Sequence, residues 1–201
     1  VLALLVGVVL VAGAALAVAG FRSTEDTSAL PPGPGGRVPG STGFVPPVEP
    51  LTTANTLSLD PVGVRAAIVN ATVPNGVLTP PDDVRNVGIW LDGAPLDSAT
   101  GTTLIVGHVN LIGQGNGALF ELGSIHPGEV IRTSNATGTP TSWRVTTVES
   151  RPKAAGVEDS VLAGPDGPRR LAVVTCGGEL QFDNGVGDYS HNTYLYAEPV
   201  V

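Results

Sequence analysis

The sequence predicts a mostly β domain, a barrel or a sandwich, and three observations carry that prediction. Glycine and proline supply 27 and 18 of the 201 residues, which favours turns over long helices. Seven short runs rich in branched apolar residues are separated by Gly, Pro and Asn turn signals, the pattern of closely spaced strands. Beyond residue 22 no apolar rhythm of helical period persists for more than about two turns. Aromatic residues make up only 4% of the chain, so the core must come from Val, Leu, Ile and Ala.

The candidate strands span 64–69, 87–91, 102–106, 130–134, 142–149, 171–175 and 193–198. Between them lie Pro74-Asn75-Gly76, Pro80-Pro81-Asp82, the stretch 113–117, His126-Pro127-Gly128, the stretches 135–140 and 164–168, and Asn184-Gly185. Glu121-Leu122 and residues 157–162 are expected to form short helical turns. The runs at 102–106 and 171–175 are continuously apolar apart from threonine, as buried strands are. The second ends in Cys176-Gly177-Gly178, and the two glycines are expected to stop the strand and clear space around the sulfur.

Three segments precede or make up this domain. Residues 1–22 hold an apolar run, Val1 to Phe21, without a single charge. As a helix it spans about 31 Å at ~1.5 Å per residue, close to one hydrocarbon thickness. It reads as a membrane anchor, with a cleaved signal segment ending at Ala17-Val18-Ala19 as the alternative. Residues 23–50 alternate proline and glycine from Pro31 to Pro50, a composition that makes an extended spacer. The folded domain is 51–201, expected outside a single-pass cell membrane. The net charge of −8, with no basic cluster beyond Arg169-Arg170, argues against a nucleic-acid partner.

Chemistry is concentrated at two strand ends. Cys176 is the only cysteine, so it makes no internal disulfide, and its value lies in packing or in reactivity. Gly107-His108 ends the other apolar run. A thiolate attacks carbonyl carbon where a thiol does so poorly, so Cys176 requires a cation, an imidazole or oriented dipoles nearby. His108 is the candidate partner for proton transfer. Three scattered histidines and one cysteine give no metal-ligand spacing, and neither metal nor other cofactor is expected. His126, before Pro127-Gly128, reads as exposed; Trp90 and Trp143 read as core or rim packing.

Five stretches, in a fixed order, resemble the sortases, the membrane-anchored cysteine transpeptidases of Gram-positive bacteria. They are Pro80-Pro81-Asp82-Asp83 with Val87-Gly88-Ile89-Trp90; Gly101 through His108 to Asn110; Ala118-Leu119-Phe120-Glu121-Leu122 with Ile125-His126-Pro127-Gly128-Glu129-Val130; Val173-Val174-Thr175-Cys176-Gly177-Gly178; and the run from Tyr189 to Ala197. The chain looks most like the actinobacterial branch often named class F or E, over about residues 57–198. The resemblance implies a closed β-barrel of about eight strands with short helices, acting as a monomer. It implies Cys176 as nucleophile and His108 as general acid and base. Its implied substrate is a C-terminal sorting motif of exported proteins, cleaved through an acyl-thioester. Its implied acceptor is an amine of cell-wall precursor or pilin.

One departure stands out. The family's arginine on the strand after the cysteine has no counterpart, because no Arg or Lys follows Arg170. Asn192 stands near that position and is a neutral candidate for positioning substrate and oxyanion, while Ser190 stands where related sequences often place the basic residue. Arg132, Arg144 and Arg151 are candidates to substitute from other strands, and His191 reads as an exposed turn residue. The alternative function is a catalytically weakened barrel that binds peptide or acts as a scaffold. A peptidoglycan L,D-transpeptidase is disfavoured, since that family keeps its histidine close to its cysteine in sequence.

Overall fold

The computed structural model describes residues 53–183 and 186–200. The expected anchor at 1–22, the linker at 23–50 and the turn Asn184-Gly185 lie outside the described residues. In chain order the strands are β1 (Thr56–Leu59), β2 (Val64–Asn70), β3 (Val87–Ile89), β4 (Thr102–Val106), β5 (Asn110–Leu111), β6 (Gly115–Asn116), β7 (Val130–Ser134), β8 (Pro140–Pro152), β9 (Arg170–Asp183) and β10 (Val186–Pro199). Eight of them close a barrel in the order β1-β2-β3-β4-β9-β10-β8-β7, while β5 and β6 form a small separate hairpin. The mostly β class and the closed eight-stranded barrel are therefore as expected. Short 3-10 turns at Leu122–Ser124 and Asp159–Leu162 fall where helical turns were read from sequence.

All seven anticipated strands are present; β1 is an addition to the barrel, and the short β5–β6 hairpin is another. The β1 sequence Thr-Leu-Ser-Leu is short and half polar, yet all four residues are buried. Leu57 and Leu59 face the barrel core with Ile105, Ile131, Trp143, Leu171, Val173 and Leu195. Thr56 and Ser58 face outward and their hydroxyls are satisfied locally: Thr56 Oγ1 donates to the Ala54 carbonyl at 3.2 Å, and Ser58 Oγ donates to Asp60 Oδ1 at 2.6 Å.

Strands β4 and β9 run parallel, with Thr102 paired to Arg170 and Val106 to Val174. A second apolar cluster covers their outer face. Leu104, Val106, Ala172, Val174 and Tyr194 pack there with Leu78 and Val161. These two strands are thus buried on both sides, which explains their unbroken apolar sequences. Each fully buried Leu, Ile or Val here contributes about 1.5–3 kcal/mol. Trp143, read as core or rim, is core: it is fully buried and donates its indole N–H to Thr133 Oγ1 at 2.8 Å.

The glycines after Cys176 do not end the strand. β9 continues to Asp183, and its pairing with β10 shifts register between Tyr189 and His191. Gly178 has φ +75, and a Cβ there would lie 2.5 Å from His191 Nδ1. A Cβ on Gly177 would lie 2.4 Å from Thr193 Oγ1. The pair is required by close neighbours at a bulge rather than by a stop.

Arg132 is held at the barrel wall by Asp60 through two hydrogen bonds, Nε to Oδ2 at 2.7 Å and Nη2 to Oδ1 at 2.8 Å. Partial burial pushes the Asp60 carboxyl up, but the bonds from Arg132 and Ser58 outweigh it and hold the group below its usual value. A depressed folded-state value stabilises the protein above the unfolded carboxylate value and loses that stabilisation as pH falls through the folded value. Asp60→Asn is expected to cost about 1.5–3 kcal/mol near neutral pH, as for a hydrogen bond to a charged group. In urea unfolding, the gap between wild type and variant should close as pH falls below the ordinary carboxylate value and through the lowered folded one; a gap that persists in acid would refute this account.

Candidate active site

Parity along the strands decides which side chains meet. On β9, Ala172 and Val174 point outward, and so does Cys176 two residues on. On β4, Leu104 and Val106 point outward, and His108 continues that row past the strand end. The parallel register that pairs Val106 with Val174, extended by two residues, sets His108 across from Cys176. On the other side, β10 pairs Asn192 directly with Cys176 and Tyr194 with Val174. His108, Cys176 and Asn192 therefore form one row across three neighbouring strands, on the outer face of the barrel.

Two hydrogen bonds fasten the histidine end to the cysteine strand. The Gly107 amide donates to the Val174 carbonyl at 3.1 Å, and Thr175 Oγ1 donates to the Gly107 carbonyl at 2.9 Å. From the other side, a Cβ on Gly117 would come within 2.2 Å of the His108 carbonyl oxygen. Only glycine permits that approach, so the loop after His108 folds tightly beneath it. The loop 80–86 is tied in by Gln114, whose Nε2 donates to the Asp82 carbonyl at 2.8 Å and whose Oε1 accepts from the Val84 amide at 3.2 Å. This strap brings the Pro81 carbonyl to the His108 ring, which donates to it.

The three side chains are nearly closed off from water: Cys176 is 2% exposed, Asn192 3% and His108 9%. Burial holds the His108 imidazole below its ordinary value, against the Pro81 carbonyl and the charge of Asp82, which raise it. Burial also pushes the Cys176 thiol up to about 11, with the charge of Lys153 opposing it and that of Asp188 adding to it. Both shifts favour uncharged forms. The resting pair is neutral thiol and neutral imidazole. Asn192 Nδ2 reaches the Tyr194 hydroxyl at 3.4 Å, while its buried Oδ1 has no partner.

The arginines considered as substitutes are engaged elsewhere. Arg132 holds Asp60, and Arg144 donates to the Gly128 carbonyl at 3.2 Å. Arg151 pairs across from Asn192 in the same row, but Glu149 at 3.0 Å and Glu158 at 2.5 Å bind its guanidinium. His191 is not in an exposed turn; it lies half-buried in β10, with Nδ1 2.7 Å from Ser190 Oγ. His126 is exposed, as expected. Lys153 and Asp188, not singled out from sequence, stand beside the sulfur, with Lys153 Nζ 2.5 Å from Asp188 Oδ1. A signal was present: Lys153 is the only lysine in the chain. Among the described residues, no three His, Cys, Asp or Glu side chains gather into a metal-binding group.

A model of the sortase domain family matches residues 57–200. No curated protein matched the chain. Among solved structures, sortase C2 of pilus island 1 from Group B Streptococcus aligns at TM-score 0.55 and 14% identity, covering 73% of each chain. Sortase C-1 from Actinomyces oris aligns at TM-score 0.56 and 17% identity, also covering 73% of each. A lid mutant of sortase A from Corynebacterium diphtheriae aligns at TM-score 0.53 and 17% identity, covering 73% of this chain and 69% of that one.

Two measurements follow from this geometry. Thr175→Val keeps the shape but leaves the buried Gly107 carbonyl short of a donor; it is expected to lower stability by about 1–3 kcal/mol in chemical denaturation. Alkylation of Cys176 by iodoacetamide should climb about tenfold per pH unit and level off only near about 11. A plateau reached by about pH 8 would contradict the raised thiol value.

Proposed function

The chain belongs to the sortase family, and from that premise we propose that it is a cysteine transpeptidase acting on a C-terminal sorting motif of exported proteins. The observation that carries the proposal is the row of His108, Cys176 and Asn192 on one barrel face. Proton transfer from the Cys176 thiol to His108 gives thiolate and imidazolium. The sulfur adds to the scissile carbonyl carbon, and the carbonyl electrons move to oxygen. As the tetrahedral species collapses, the C–N bond breaks and His108 returns its proton to the departing amine. The product is an acyl-thioester on Cys176. An acceptor amine then adds to the same carbon, His108 removes its extra proton, and the C–S bond breaks to leave a new amide.

Asn192 borders the carbonyl being attacked. Turned about its terminal bond, its amide gives Oδ1 to the Tyr194 hydroxyl and directs Nδ2 at the oxyanion. A buried amide without a second partner is suited to that task, because a substrate supplies what the fold leaves open. The acceptor we favour is an amine of cell-wall precursor or pilin; two of the matched proteins carry pilus in their names. The charge-free run at 1–21 supports a chain tethered to the cell membrane with the barrel outside; the proposed working unit is a monomer. A second reading, a barrel that binds peptide without efficient turnover, draws on the buried, fully protonated sulfur.

Incubation of the full chain with sorting-motif peptides, followed by mass spectrometry, separates the two. Wild type is expected to accumulate an acyl adduct on Cys176, and Cys176→Ala none. His108→Ala should slow acylation at least about a hundredfold, and Asn192→Ala about a hundredfold. Absence of any adduct across the peptide set would favour the binding module.

A further inference from the structure

Lys153 is the only lysine of the chain and Cys176 the only cysteine, and the strand pairing brings the two residues into one neighbourhood. Pro152, the last residue of β8, pairs with His191, whose other neighbour is Gly177. The chain then turns into the 3-10 segment Lys153–Ala155. From there the charge of the Lys153 ammonium acts on the sulfur of Cys176, the residue before Gly177. The ammonium also sits 2.5 Å from Asp188 Oδ1, with the lysine side chain 17% exposed. Asp188 is fixed in turn, since its Oδ1 accepts from the Tyr189 amide at 2.8 Å. Lys153 and Asp188 line a groove of about 370 Å³ with Phe182, Tyr189 and Ser190.

We propose that Lys153, gripped by Asp188, is a catalytic residue: its ammonium stabilises the Cys176 thiolate, both when the sulfur attacks and when it leaves. This rests on Cys176 being the nucleophile. A sulfur buried to this degree ionises more readily near an opposite charge. Lys153, from the segment after β8, and Asp188, from β10, are the charged groups acting on it; Asn192 pairs with Cys176 on β10, the β4–β9 register carries His108 across from it, and Asp82 acts on His108. His108 becomes a cation only by taking the sulfur's own proton. Arg151 is in the row but is bound by two glutamates. Asp188 works in both directions, since it holds the ammonium in place while its own charge opposes the thiolate.

The test is the pH profile of Cys176 alkylation by iodoacetamide, a neutral reagent that needs no peptide recognition, run beside acylation by sorting peptide. Lys153→Met should move the alkylation profile to higher pH and slow the reaction about tenfold at pH near 8, the effect of losing a close opposite charge. Peptide acylation should fall in kcat more than in KM, and Lys153→Arg should recover part of both. Asp188→Asn should move the alkylation profile the opposite way. Acetylation of folded wild type at its single lysine side chain removes the same charge without a substitution, so a Met variant that fails to fold does not spoil the test. An unchanged profile in Lys153→Met, or in the acetylated protein, overturns the proposal. Failure of wild type to form any peptide adduct instead overturns the transpeptidase reading, and with it the catalytic role.

Discussion

The pairing of β4 with β9 is the constraint on which the rest depends. Parallel neighbours need a long connection between them, so His108 and Cys176 come from distant parts of the sequence. Once the two strands are zipped from Thr102–Arg170 to Val106–Val174, their ends coincide, and the chemistry sits where the ladder finishes. A slip by one residue would turn Cys176 into the core and His108 away from it. The outer apolar cluster around Val106, Val174 and Tyr194 fixes the register, because that face is as dry as the core. The Thr175 hydroxyl on the Gly107 carbonyl adds a polar lock at the last rung.

Charge is handled at this site by exclusion. Burial favours the neutral forms of both the thiol and the imidazole, so in the proposed mechanism the reactive ion pair is a minor species drawn on when substrate arrives. The scarcity of that species is set against proximity: three side chains on adjacent strands, with backbone bonds holding the histidine end, leave little reorganisation to be done at the moment of attack. The glycines contribute by letting the backbone close in. Gly117 packs under the His108 carbonyl, and Gly177 and Gly178 let β10 side chains cover β9 beyond the sulfur.

Much of this was legible in the sequence, for definite reasons. Two strands buried on both faces leave unbroken apolar runs, so 102–106 and 171–175 announced themselves, and with them the residues at their ends. Strand β1 was not legible, because Thr56 and Ser58 are buried by satisfying hydroxyls rather than by apolar bulk. The continuation of β9 was hidden since glycine signals a stop and a bulge alike. The neighbouring cation was the hardest to see. Its place depends on where β8 ends against His191, which no local pattern encodes, and on Glu149 and Glu158 drawing Arg151 away. A lysine between a proline and two alanines reads as a surface loop until the tertiary pairing is known.

A sulfur kept protonated and 2% exposed is also a slow target for peroxide, disulfides and other electrophiles that act on thiolates. With no second cysteine to close a protective bridge, such a thiol would survive by chemical quietness in the oxidising exterior proposed for the barrel. The same shielding that slows its first step lengthens its working life.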